Sequence, residues 1–224
     1  MSALSSAQIE FLHLLVTRQA LRFGEFTLKS GRKSPYYINT GCFHRGGDLA
    51  ALGRCYAAVL RERLGPDLGV VFGPAYKGIP LALAAAQEYE RLVGRPVGWA
   101  YDRKEVKDHG DGGMFVGAPL TEGVTVAVVD DVMTAGTALR ETVAKLKQTP
   151  VRIAGVVISV DRQERGQGSK PAVQEVSDEF GFPVHAIITI AEAATWLVDN
   201  DVAGKRHLTR EDLGRIEAYR RAYG

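Results

Sequence analysis

Cysteine is scarce in this chain: Cys42 and Cys55 are the only two, and they form no CxxC pair. That argues against a disulfide framework or a cysteine-based metal site and fits reduced thiols in a cytosolic protein. Excess charge of either sign is also missing, with 28 basic residues against 26 acidic ones and a formal net charge of +2. Such a balance gives no reason to expect nucleic acid or an anionic membrane as the main partner, so any positive field must be local. Long apolar runs are absent, and the most apolar stretch, residues 79–86, is far too short to span a bilayer. The opening MSALSSAQIE lacks a basic region followed by an apolar segment, so no signal peptide is expected and a cytoplasmic location is. No internal repeat or low-complexity segment is present. Neither a Gly-Lys-Ser/Thr run nor a GxGxxG occurs, which removes the P-loop and the dinucleotide fingerprint.

What remains is a chain of 224 residues, 46% hydrophobic and 24% charged, able to bury a full core unaided. Ser5 and Gln8 have capping-box spacing, and Ile9, Leu12 and Val16 recur as the face of a first helix. Residues 26–29 and 36–39 flank the turn-rich Ser-Gly-Arg-Lys-Ser-Pro and suggest a hairpin outside any βα repeat. Leu49, Leu52, Tyr56, Val59 and Leu60 mark the next helix. From residue 68 the pattern alternates, with strand candidates at 68–72, 97–101, 124–129, 153–160 and 184–190. The expectation is an α/β fold with a five-stranded, mainly parallel sheet and helices on both faces. A charged helix at 209–223 closes the chain, and whether it packs beside the hairpin stays open. A single domain is expected over 1–224. Residues 1–65 would form a small hood subdomain, 66–195 the α/β core and 196–224 a C-terminal helical segment.

The most informative stretch is VTVAVVDDVMTAGTALRE at 124–141. Its β-branched apolar run without strict alternation reads as a strand covered on both faces. Asp130 and Asp131 follow at the carboxyl end, where open α/β sheets bind ligands. Thr134-Ala-Gly-Thr137 then lets backbone amides and a helix N-terminus approach an anion, and Leu139, Val143 and Leu146 give that helix its inward stripe. A solvated acidic turn with a threonine cap is the plainer reading of the same residues. The whole order resembles the phosphoribosyl diphosphate signature of type I phosphoribosyltransferases.

Three other stretches reach the same sheet edge, each with two readings. Tyr76 and Lys77 in GPAYKGIP form either an ordinary βα loop with a solvated lysine or a close backbone approach with a point charge for a diphosphate. DRKEVKDHGDGG at 102–113 carries Arg103, Lys104, Lys107 and His109, and is either an exposed mobile loop or a lid that brings cations to developing negative charge. Arg162 either pairs with Asp161 or Glu164 or grips a planar carboxylate.

FTLKSGRKSPYYIN, FGPAYKGIP, DRKEVKDHGDGG, VAVVDDVMTAGTALRE and ISVDRQERG, in this order and spacing, resemble the orotate phosphoribosyltransferases from about residue 23 to 190. The resemblance implies the joining of orotate to 5-phosphoribosyl 1-diphosphate with Mg2+, giving orotidine 5'-phosphate and diphosphate in pyrimidine (UMP) biosynthesis. It implies that Asp130 and Asp131 hold the ribose hydroxyls with the metal nearby, the metal itself being held mainly by substrate. Val132, Met133, Thr134, Ala135, Gly136, Thr137 and Ala138 would form the 5-phosphate cradle. Lys29, Tyr76 and Lys77 match contacts to phosphoribosyl diphosphate. Arg103, Lys104, Lys107 and His109 match a lid shared across a homodimer, and Lys104, Lys107 and His109 join the two acids as the catalytic set. Tyr37, Ile38, Thr134 and Arg162 match orotate contacts. Many bacterial relatives have two successive phenylalanines where this chain has Tyr37-Ile38, so backbone contacts survive but ring stacking by the second residue does not. Two other classes remain in view: a phosphoribosyltransferase for another nucleobase, and a non-catalytic phosphoribosyl-diphosphate sensor. The near-neutral charge and the intact lid weigh against the sensor.

Overall fold

The computed structural model describes residues 3–28, 31–107 and 113–224. Ser5 accepts the Gln8 amide while the Gln8 side chain accepts the Ser5 amide, and this reciprocal cap starts α1 (Ser6–Thr17). An antiparallel pair follows, β1 (Leu21–Thr27) and β2 (Lys33–Ile38), with Leu21 opposite Ile38 and Thr27 opposite Lys33. The ladder is longer than the expected hairpin and lies nearer the N-terminus. Its register is set by burial of Leu21 and Tyr36, which local turn signals do not reveal. Pro35 fits within β2 because a two-stranded sheet leaves one edge without a partner for its missing N–H.

After a short turn at Thr40–Cys42, α2 (Gly46–Val59) runs into a π turn at Leu60–Leu64. Alternation then begins with β3 (Val70–Phe72), α3 (Gly78–Val93), β4 (Gly98–Lys107) and β5 (Gly113–Gly117). It continues with β6 (Thr125–Asp130), α4 (Thr137–Leu146), β7 (Arg152–Asp161), α5 (Ala172–Phe180), β8 (Val184–Thr189) and α6 (Ile190–Asp199). The sheet order is β5-β4-β3-β6-β7-β8, with every neighbouring pair parallel except β4 with β5. All five expected strands are present, and β5 adds a sixth at the edge. Its apolar run is only Met114-Phe115-Val116, too short to announce a strand. It is held by pairing with an extension of β4 and by an edge-on contact of Phe115 with Phe72, ring centroids 5.9 Å apart.

The unbroken apolar run of β6 is divided by strand alternation between two cores. Ala127 and Val129 face the side covered by α1, α2, α3 and α6, whereas Val126 and Val128 face α4 and α5 through Leu139, Val143, Leu146 and Val176. Helices α2 and α3 approach so closely at Gly53 that an added methyl would lie 2.6 Å from the Ala84 carbonyl oxygen. The last helix, α7 (Arg210–Tyr223), opens on a Thr209/Asp212 capping box and buries Ile216 and Tyr219. Tyr219 meets the Tyr36 ring edge-on at 5.8 Å, so the helix packs beside the β1–β2 pair, the point that patterning had left open.

The chain leaves β3 toward β4 and leaves β6 toward β7, in opposite directions across the sheet. The carboxyl ends of β3 and β6 therefore form a switch point, and loops 73–77 and 131–136 open a crevice there.

Candidate active site

Asp130 ends β6 and Asp131 begins the following loop. Tyr56, fully buried in α2, donates to the Asp130 carbonyl at 2.7 Å, and Ser159 of β7 donates its hydroxyl to the Asp131 carbonyl at 2.5 Å. With both backbone carbonyls held from below, the two carboxylates are fixed at the sheet edge. Asp130 Oδ1 accepts the Asp131 amide at 2.8 Å. Burial, and then the Asp131 charge beside it, push the Asp130 carboxyl up to about 6, with Lys77 and Lys104 pulling the other way. Asp131 Oδ2 accepts from Lys77 Nζ at 2.7 Å and from Thr40 Oγ1 at 2.8 Å. The hydrogen bond to Asp131 raises Lys77 above the ordinary lysine value.

The acids stand between two recesses. One, about 310 Å3, includes Thr40, His44, Lys77, Pro80, Leu81 and Asp131 in its lining. The other, about 260 Å3, is lined by Asp130 and by residues of the 132–139 segment, including Met133, Thr134, Thr137 and Ala138. Gly136 shapes the second: its φ is +75°, and a Cβ there would lie 2.9 Å from Val176 Cγ2 and 3.0 Å from Arg140 Nη1. Helix α4 starts at Thr137 with no acidic residue in its first turn, so its amide end offers a site for an anion. Ala135 contributes its carbonyl to Arg140, which closes the loop from behind.

Lys104 stands exposed on β4, and its charge acts on Asp130. The lid stretch is thus partly strand: Arg103, Lys104 and Lys107 belong to β4, whose register against β5 breaks between Asp102 and Lys107. Glycine-rich composition suggested a loop because pairing with β5 is not encoded locally. Lys29 and His109 lie outside the described residues, as does the side chain of Lys107. Tyr76 is 73% exposed and projects from the 73–77 loop.

Asp102, only 3% exposed, joins three of these elements. It accepts the Ala75 amide at 2.9 Å, pairs with Lys145 of α4, and directly precedes Arg103 in the strand. Replacing Asp102 with Ala should cost on the order of 2 kcal/mol by leaving that amide without a partner and that ammonium with only the Arg103 carbonyl at 3.5 Å. Asp102→Asn, which keeps an acceptor for Ala75, should lose roughly half as much. Thermal melting of the two variants checks this order, and equal melting temperatures would refute it.

Arg162 pairs with Glu164, its Nε and Nη2 both donating to Oε1 at 3.0 and 2.6 Å. The ion pair considered from sequence therefore forms, and Asp161 instead accepts the Gln163 amide at 2.7 Å. Tyr37 turns its ring outward against Phe26 at 5.6 Å and beneath Arg22 at 5.2 Å, while Ile38 packs against the core. The Tyr37 hydroxyl acts electrostatically on Lys77, so Tyr37, Lys77, Lys104 and both acids share one neighbourhood. Thr40, Tyr56, Asp102, Lys145 and Ser159 were not read as site residues from sequence because each acts on a partner at least 27 residues away. Only the position of Thr40 just after a strand hinted at its place.

Comparison with known proteins agrees with this arrangement. Residues 46–189 match the phosphoribosyl transferase domain family. An orotate phosphoribosyltransferase of Pseudomonas fluorescens is 49% identical over 97% of this chain and 98% of its own length. The chain belongs to the orotate phosphoribosyltransferase family. A second member of the family, from Pseudomonas putida, is 48% identical over the same shares. The crystal structure of an orotate phosphoribosyltransferase from Francisella tularensis superposes with a TM-score of 0.81, at 39% identity, over 96% of this chain and 98% of that one. The family's α/β architecture, a largely parallel sheet between helices, is the one described above.

Proposed function

We propose that this chain transfers the 5-phosphoribosyl group from 5-phosphoribosyl 1-diphosphate to orotate, releasing diphosphate and forming orotidine 5'-phosphate in pyrimidine biosynthesis. One observation carries the reading: paired carboxylates at the switch point, with a glycine-bent anion loop on one side and Lys77 on the other. In this reading Asp130 and Asp131 take the ribose hydroxyls, loop 132–138 takes the 5-phosphate, and Tyr76 and Lys77 meet the diphosphate. Bond breaking at the anomeric carbon needs little covalent help, but the leaving group's growing charge must be met by fixed cations. Lys104 meets that charge in this reading, with Arg103, Lys107 and His109 as the rest of a lid and Lys29 as a further contact. Thr134, Arg162 and the backbone of Tyr37 and Ile38 receive orotate.

A divalent cation fits the donor set, since two adjacent carboxylates raise one another's affinity for positive charge and magnesium favours oxygen ligands. Magnesium bound mainly to the substrate would neutralise diphosphate oxygens during departure. Among the described residues no three of His, Cys, Asp and Glu gather as a protein metal site. The hood within residues 1–65 is the β1–β2 pair, because α1 and α2 cover one face of the 66–195 sheet, and the 196–224 segment packs beside that pair, in one domain. A homodimer sharing its lids and a cytoplasmic location complete the proposal; among the described residues no helix is long and apolar enough to cross a membrane. The test is diphosphate release with magnesium, phosphoribosyl diphosphate and each candidate base in turn. Release with orotate alone is the expected result. Release with a purine or uracil instead would reassign the base, and none with any base would point to a sensor.

A further inference from the structure

Glu164 is the centre of a cluster of which the reaction as described uses only Arg162. Its Oε1 accepts from Arg162, from Tyr36 at 2.8 Å and from Tyr219 of α7 at 3.2 Å, while its Oε2 pairs with Arg32. Arg32 lies in the β1–β2 connection, its guanidinium over the rings of Tyr219 at 5.4 Å and Tyr223 at 4.7 Å. Arg162 lies over the ring of Tyr36 at 5.5 Å. Arg162 and Glu164 are both largely shielded, with side chains 15% and 12% exposed, so their charges are poorly screened. Alone, that pair is neutral and would offer a carboxylate substrate little attraction. Arg32 changes the sum: two guanidiniums around one carboxylate leave a single positive charge.

We propose that Arg32 is a specificity-determining residue, leaving the base end of the site with one uncompensated positive charge matched to a base that bears a carboxylate. Helix α7 supplies its aromatic seat, and Glu164 holds Arg162 and Arg32 at a fixed spacing. The inference rests on the proposed function, in which Arg162 faces orotate.

Steady-state kinetics of the full chain test it. Arg32→Gln should raise KM for orotate about tenfold, with kcat and KM for phosphoribosyl diphosphate little changed. Arg32→Lys keeps the charge and should recover most of that loss. Equal losses in the Gln and Lys variants would show a packing role and overturn the proposal. So would an unchanged orotate KM in Arg32→Gln when Arg162→Gln raises it, a result that leaves the proposed function standing. An unchanged orotate KM in both variants would remove Arg162 from the base site and this inference with it. If Arg32→Gln does not fold, Tyr223→Leu removes one ring of the seat at a partly exposed position, and should raise orotate KM about threefold. No change in that variant would also contradict the proposal.

Discussion

Replacing Asp130 with Asn should abolish turnover, by about a thousandfold or more, yet make the ligand-free protein more stable at pH 8. Both effects come from the same placement. Tyr56 and Ser159 hold the two acids by their backbones, at a sheet edge where burial and the Asp131 charge raise Asp130 to about 6. The native state thus binds a proton more tightly than the unfolded chain, whose carboxyl titrates near 3.8. Stability falls as pH rises through that interval, and above about 6 the full cost of an ionised, crowded carboxylate is present. That cost is on the order of 3 kcal/mol, and removing it should raise the melting temperature by about 6–12 °C at pH 8. Near pH 4 the gain should vanish. Asn keeps an oxygen for the Asp131 amide, so the local backbone has no reason to move. Melting curves at both pH values with a turnover assay check the pair of effects; a lower melting temperature at pH 8, or retained turnover, contradicts them. Asp130→Asn together with Asp131→Asn should be equally inactive even at saturating magnesium.

Lys104→Ala should lower kcat by about a hundredfold or more while changing either KM by less than about threefold. Lys104 stands on the extension of β4 just beyond the buried Asp102, and its charge already acts on Asp130 without substrate. A cation there gains most when the leaving diphosphate becomes more negative, so its worth is realised in the transition state rather than in binding. Turnover unchanged in the purified variant would remove Lys104 from the catalytic set. A raised KM at constant kcat would make it a binding residue only.

The parallel part of the sheet was legible because β-branched runs covered on both faces leave a plain mark in sequence, and the acids and glycine-bent loop after β6 are contiguous. Helix α1 announced itself by its capping-box spacing and α7 by its charged run, which the structure shows to open on a capping box of its own. The edge strand β5 did not, since three apolar residues become a strand only when the extension of β4 pairs with them. The same extension placed Arg103, Lys104 and Lys107 on a strand where charge and glycine suggested a loop. Within the site, what remained hidden was the support: Thr40 on Asp131, Tyr56 under Asp130, Lys145 against Asp102 and Tyr219 on Glu164. Each joins residues far apart in the chain, and no local spacing encodes such a pair. Arg162 shows the converse, because its ion pair with Glu164, two residues on, was readable as an alternative and is the pairing that forms.

The reaction run backwards gives the most direct test, because both its reactants are particular to the proposed chemistry. Purified protein mixed with orotidine 5'-phosphate, diphosphate and magnesium should form orotate and 5-phosphoribosyl 1-diphosphate in equal amounts, and the Asp130→Asn, Asp131→Asn variant should form neither. No orotate from the unaltered chain, or orotate formed equally fast by the variant, would contradict the assignment of phosphoribosyl transfer to the acids at the end of β6.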